Sequence, residues 1–139
     1  MKGSVRQELE AEIVGAAYQA EGHQVIAHDD VVRLAQRFGT RWEIEVSALE
    51  LDVVPSRYLR NLGTIGIEGQ LRLLHSTAAV VGLGGLGGYV VEALARMGVG
   101  RLILIDSDTF DDHNLNRQLL SHEGNLGAEK AQVACGRVE

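Results

Sequence analysis

The chain has one cysteine in 139 residues, Cys135, which excludes an internal disulfide framework and any zinc site built from cysteine pairs. A reducing compartment is the simpler reading. No apolar run approaches the roughly 18 residues needed to span a bilayer, and the N-terminus has no long apolar stretch of the kind that directs secretion. The expected setting is therefore soluble and cytoplasmic, with no membrane partner. Aromatic residues make up only 4%, and Pro55 is the single proline. Basic residues are too few and too scattered for a nucleic-acid stripe. Residues 1–56 hold 5 basic and 10 acidic side chains and residues 57–139 hold 8 and 9, which splits the net charge of −6 into −5 and −1.

What is present is concentrated between positions 78 and 106. The run AAVVGLGGLGGYVVEALARMGVGRLILID reads as an apolar strand, a glycine loop, a helix and a second apolar strand ending on a carboxylate. Gly82, Gly84 and Gly87 fit G-x-G-x-x-G, with Gly85 beside them, and missing β-carbons let such a backbone turn tightly and approach a phosphate. The following helix would offer that phosphate its free N–H groups. Asp106, at the end of the second strand, is placed to accept hydrogen bonds from ribose hydroxyls. Alone, this unit would be a dinucleotide fingerprint.

The next stretch, DSDTFDDHNLNRQLL, argues for a different nucleotide. A nicotinamide site has little use for Asp108, Asn114, Asn116, Arg117 and Gln118 on one loop. Arg117 offers a planar donor fork suited to phosphate oxygens, Asn114 a neutral donor and acceptor, and Lys130 a mobile point charge. Together they suit a triphosphate.

Five motifs in order carry a resemblance: RYLRN at 57–61, VGLGGLG at 81–87, the paired acids of IDSD at 105–108, NLNRQ at 114–118 and GAEKA at 127–131. In these, residues 57–139 resemble the start of the HesA, MoeB and ThiF adenylating enzymes, relatives of the ubiquitin-activating enzymes. The resemblance implies ATP and Mg²⁺ as cofactors. It also implies a ubiquitin-like or sulfur-carrier protein whose C-terminal carboxylate attacks the α-phosphorus, giving an acyl-adenylate and pyrophosphate. Gly82, Gly84, Gly85 and Gly87 would lie against the nucleotide, Asp106 would hold the ribose, and Asp108 would accompany it. Asn114, Arg117 and Lys130 would hold the phosphates and offset charge on the bridging oxygen as pyrophosphate leaves. Arg60 matches an arginine that reaches into the neighbouring subunit's nucleotide site, which implies a homodimer. The resemblance places the magnesium ligand beyond Glu139, so no residue here is assigned to metal, and the 139-residue piece is expected to lack adenylation activity alone.

Each residue also has a plainer reading. Asp106 could cap a turn, Asp108 could satisfy local backbone N–H groups, and Arg57 and Arg60 could pair with acids of the first segment. Cys135 falls in the apolar pattern of a helix over 128–138 and reads as a small packed side chain rather than a nucleophile.

The first 55 residues read as a helical segment. Leu9, Ile13, Ala16, Ala17 and Ala20 recur at helical spacing over 5–20, Asp29 or Asp30 could cap a second helix running to Phe38, and Gly39 ends it. Residues 42–51 fit helix or strand, with helix favoured by Ala48, Leu49, Glu50 and Leu51. Two helices around Gly39 invite a helix-turn-helix reading. The second would present Glu43, Glu45, Glu50 and Asp52 to phosphates, so DNA is not the expected partner.

The expected architecture is α/β: a Rossmann-like βαβ nucleotide-binding unit with a parallel sheet, preceded by a small helical segment, with the boundary at Pro55 separating 1–55 from 56–139. Residues 60–74 should be largely helical, interrupted by Gly63, Gly66 and Gly69. Both strands are apolar on successive residues, as strands covered on both faces are. Two strands cannot cover themselves, so the sequence reads as a truncated piece that associates. Two other functions compete: an NAD-dependent oxidoreductase, supported by the glycine loop and Asp106, and a docking or regulatory module working through the acidic helices.

Overall fold

A computed structural model describes residues 3–138 and shows a mixed α/β chain made of two compact units, Met1–Leu74 and His75–Glu139.

The first unit opens with α1 (Gly3–Ala16), which buries Leu9 and Ile13, one helical turn apart. The helical spacing that continues to Ala20 in sequence does not continue in the fold. Residues Tyr18–Ala20 form β1 and His23–Ile26 form β2, an antiparallel pair whose two turn residues, Glu21 and Gly22, both have positive φ (50° and 83°). That is the twist a two-residue hairpin demands. Helix α2 (His28–Phe38) follows, with Asp29 and Asp30 in its first turn rather than at its cap; the cap position is Ala27, which makes no side-chain bond. The two acids favour the positive end of the helix without capping it. Gly39 ends α2 as expected.

Helix α3 (Arg41–Glu50) settles the ambiguity over 42–51 in favour of helix. Thr40 and Glu43 form a reciprocal capping box at its start. Its Ile44, Glu45, Val46, Ala48 and Leu49 are buried. β3 (Val53–Pro55) then joins β2 in parallel, giving the order β1-β2-β3. The first unit is thus richer than a helical segment: a three-stranded sheet packs with α1, α2 and α3 around Leu9, Ile13, Ile26, Val31, Leu34, Ile44, Ala48 and Val53. A single 3-10 stretch, Ser56–Asn61, leads into α4 (Leu62–Leu74), which kinks at Gly66 alone and runs through Gly63 and Gly69. Val46, Leu49, Val54, Tyr58 and Leu74 form a second cluster, so the 57–74 stretch folds with the residues that precede it.

The second unit is the βαβ motif. β4 (Thr77–Val81) and β5 (Arg101–Ile105) pair in parallel, Thr77 opposite Arg101 and Val81 opposite Ile105, with α5 (Gly87–Met97) as the crossover. Helix α6 (Lys130–Val138) starts two residues later than the 128–138 pattern suggests. Val80, Leu83, Val91, Phe110, Leu120 and Ala134 form the core. Only one face of the two strands is covered. Val81, Ile103 and Ile105 are 77%, 41% and 49% exposed, so the successive apolar residues of the strands do not here mark a sheet covered on both sides. Cys135 is exposed rather than packed; its neighbour Ala134 takes the core position on α6.

Candidate functional site

The site forms where β4 and β5 end, because a parallel βαβ unit gathers the loops that follow its strands at their carboxyl ends. Gly82 N–H donates to the Ile105 carbonyl at 2.8 Å, extending the ladder by one bond before the chain turns away with Gly82 at φ 85°. Gly87 is required for a different reason. A β-carbon there would lie 1.8 Å from the Gly82 carbonyl oxygen, so the loop closes on itself only with hydrogen at that position. Helix α5 then begins with no capping side chain and no acid in its first turn, which leaves its positive end suited to an external anion.

Asp106 fixes this loop to the end of β5. Its Oδ2 accepts from the Leu83 N–H at 2.6 Å and its Oδ1 from the Asp108 N–H at 2.8 Å. Partial burial works against ionisation, but the two backbone donors and the Lys130 charge outweigh it and hold the carboxyl below the usual carboxylate range. The turn-capping role is therefore real. It also leaves capacity, since a carboxylate has about four acceptor positions and two are used.

Lys130, only 5% exposed, opens α6 and reaches the Asp108 carboxylate at 3.3 Å, with its ammonium 5.8 Å from the centre of the Phe110 ring. Two backbone bonds, Phe110 N–H to Ala128 and Gly127 N–H to Phe110, bind the two segments together and bring Lys130 back to the strand ends. Asn114 is buried; its Oδ1 accepts from the Asp111 N–H at 3.0 Å, closing the short Asp112–Asn114 turn. Arg117 is exposed and donates to the His113 carbonyl and the Asn116 side chain at 2.7 and 3.0 Å. The structure thus brings Gly82, Gly84, Gly85, Gly87, Asp106, Asp108, Asn114, Arg117 and Lys130 into one unit at one strand edge. Arg60 belongs to the other unit, where it is 84% exposed and pairs with Glu21 at 2.8 Å, while Arg57 pairs with Glu45.

Gln118 belongs to the polar cluster that the sequence pointed to, but no role was expected of it individually. It is 7% exposed and lies against the loop, its Nε2 3.4 Å from where a Gly84 β-carbon would sit. Its Oε1 is buried and has no hydrogen-bond partner among the described residues. A buried acceptor without a partner beside a glycine loop is one that a bound ligand or an ordered water would satisfy. Its position next to Arg117 was the signal available. A cleft between α5, β5 and α6, lined by Ala95, Leu102, Leu104 and Cys135, lies at the opposite strand end and offers no such chemistry. Among the described residues no three acidic, histidine or cysteine side chains converge as metal ligands.

The glycine cradle, the pinned carboxylate and the lysine returning to it fall within the 57–139 stretch, which matches the ThiF family. The chain belongs to that family. A tRNA threonylcarbamoyladenosine dehydratase of Bacillus subtilis is 44% identical over 82 residues, covering 59% of this chain and 32% of that protein. An adenylyltransferase and sulfurtransferase of Drosophila yakuba, MOCS3, is 32% identical over 139 residues, covering 96% of this chain and 26% of that protein. Among solved structures, the E. coli tRNA N6-threonylcarbamoyladenosine dehydratase TcdA in complex with ATP matches with a TM-score of 0.57 and 35% identity over 59% of this chain and 34% of that one. This ThiF-family chain therefore spans about a third or less of the length of these relatives.

Proposed function

We propose that this chain is the nucleotide-binding part of an enzyme that uses ATP to adenylate a carboxylate, the C-terminal carboxylate of a ubiquitin-like or sulfur-carrier protein. The observation that carries the reading is the arrangement around the glycine loop: a bare helix start, Asp106 held with acceptor positions to spare, and Lys130, Arg117 and the orphaned Gln118 amide on the same strand edge. The relatives support it, since one is an adenylyltransferase and sulfurtransferase and another is solved in complex with ATP.

In this reading the backbone of Gly82, Gly84 and Gly85 lies against the nucleotide and Asp106 accepts from the ribose hydroxyls. Asn114, Arg117 and Lys130 face the phosphates. A carboxylate oxygen of the partner protein bonds to the α-phosphorus as the bond to the bridging oxygen breaks, and pyrophosphate departs with that electron pair. Positive charge fixed beside the departing oxygen stabilises it most when the bond is breaking, which is where a cation lowers the barrier. Lys130 is buried and already oriented, so it loses little freedom at that moment. Arg60 completes the site from a second copy of the chain, in a homodimer. Mg²⁺ would supply further charge neutralisation on the phosphates, and no residue here is assigned to hold it. A cytoplasmic setting fits an ATP-consuming reaction.

The test is titration calorimetry of the complete protein carrying this sequence with ATP and with NAD, followed by pyrophosphate exchange with a carrier protein added. Binding of ATP with no heat from NAD, and exchange only with the carrier, supports the reading. NAD binding in preference to ATP refutes it. Exchange that requires tRNA in place of the carrier would redirect the substrate assignment toward the dehydratase relatives.

A further inference from the structure

Residues 1–56 lie outside the stretch that matches the family, and the site described above uses none of them. One of them is nonetheless a charged side chain taken out of water. Glu45 sits on the buried side of α3 and is 3% exposed. Its Oε1 accepts from Arg57 Nη1 at 3.2 Å, and its Oε2 accepts from the Tyr58 hydroxyl at 2.8 Å. Taking a carboxylate out of water is costly, and an apolar side chain at this position, beside Val31 and Pro55, would avoid that cost. In some proteins a buried ionic group of this kind is retained because it selects one geometry.

The geometry selected here is that of a single turn. Arg57 and Tyr58 are consecutive residues of the 3-10 stretch Ser56–Asn61, so one carboxylate fixes both the position and the rotation of that stretch. In a 3-10 helix side chains three residues apart eclipse one another. Anchoring Arg57 therefore sets the direction in which Arg60 leaves the backbone, and Arg60 is almost fully exposed. Tyr58 reinforces the anchor, since its ring is buried in the same cluster.

We infer that Glu45 is a positioning residue for Arg60, locking the Ser56–Asn61 turn so that this arginine is presented outward in one direction to a nucleotide site. The inference rests on the proposal that Arg60 serves the ATP site, and it gives the first unit a function: a rigid mount for that arginine.

The experiment measures ATP affinity of the complete protein by calorimetry for Glu45→Gln, Arg60→Ala, the double variant and Glu21→Gln, with melting curves alongside. Losing one charge-assisted hydrogen bond costs about tenfold or more in affinity, so Glu45→Gln and Arg60→Ala should each weaken ATP binding about tenfold. The double variant should be no weaker than Arg60→Ala alone. Glu21→Gln removes the exposed ion pair that Arg60 makes within its own unit but not the anchor of the turn, and should stay within about twofold of the parent. Tyr58→Phe, which keeps the buried ring and removes one of the two bonds, should give a smaller loss that also vanishes in the Arg60→Ala background, and it serves where Glu45→Gln does not fold. If Arg60→Ala binds ATP normally, the Arg60 assignment itself fails. If Arg60→Ala weakens binding while neither Glu45→Gln nor Tyr58→Phe does, or if their losses multiply in the double variants, Glu45 does not act through Arg60 and the inference is overturned.

Discussion

Replacing Gly87 and Gly85 by alanine, one at a time, separates what the glycine loop needs for folding from what it needs for binding. At Gly87 the new methyl would stand 1.8 Å from the Gly82 carbonyl oxygen and 2.8 Å from its carbon. A carbon and a carbonyl oxygen tolerate about 3.3 Å, so the backbone must open by roughly 1.5 Å. The Gly82 N–H is itself tied to Ile105 in β5, so opening the loop strains the strand ladder as well. Overpacking against side chains costs about 1–3 kcal/mol, and backbone relaxes less readily, so Gly87→Ala should lose about 3 kcal/mol. At Gly85 the nearest atoms, Arg117 Cγ and its carbonyl oxygen, are 3.9 Å away, and its φ is not among the positive values. Gly85→Ala should therefore fold within about 0.5 kcal/mol of the parent. It places a methyl on the surface proposed to lie against the nucleotide, and at about 1–3 kcal/mol for such a clash ATP affinity should fall by about tenfold or more. Urea unfolding and ATP calorimetry on the same two variants give the comparison. Parental stability in Gly87→Ala would contradict the loop geometry, and parental ATP affinity in Gly85→Ala would show that the loop backbone is not a nucleotide contact.

Three further outcomes are expected. Phe110→Ala empties the centre of the second unit, where the ring is wholly buried, and should cost about 3–5 kcal/mol in urea unfolding; a loss under about 1 kcal/mol would mean that the Phe110 ring is not packed as described. Asp106 has a folded pKa below its ordinary 3.8, so its stabilising contribution is complete above that value and disappears as pH falls through the lower folded one; acid titration of stability should show this loss in the parent and not in Asp106→Asn, and identical profiles would refute the pinning of the loop. Mixing inactive Arg60→Ala and Lys130→Ala subunits should restore about a quarter of parental pyrophosphate exchange if each copy lends its arginine to the other, because half of random dimers then carry one intact site. No recovery after verified subunit exchange would argue that Arg60 does not act between copies.

The amino-acid order alone determined the two strands and the last helix of the second unit to within a residue or two. A strand, a G-x-G-x-x-G turn and a helix are specified by backbone freedom and local periodicity, and Gly82 and Gly87 must be glycine for reasons confined to the loop. The family was legible for the same reason, since its motifs are short and ordered along the chain. The T-x-x-E box at Thr40 was equally local, but it was obscured by the competing strand and helix patterns that begin at Trp42. What only the tertiary structure decided depends on which surfaces meet. Three-residue strands such as β1 and β3 have too little sequence to announce themselves and exist through pairing with β2. Whether Glu45 faces solvent or Tyr58, whether Ala134 or Cys135 takes the core position on α6, and whether Gln118 keeps a hydrogen-bond partner all turn on the neighbour a side chain finds after folding. Burial is a property of contacts distant in sequence, and so the residues that depend on it became visible only once the chain was folded.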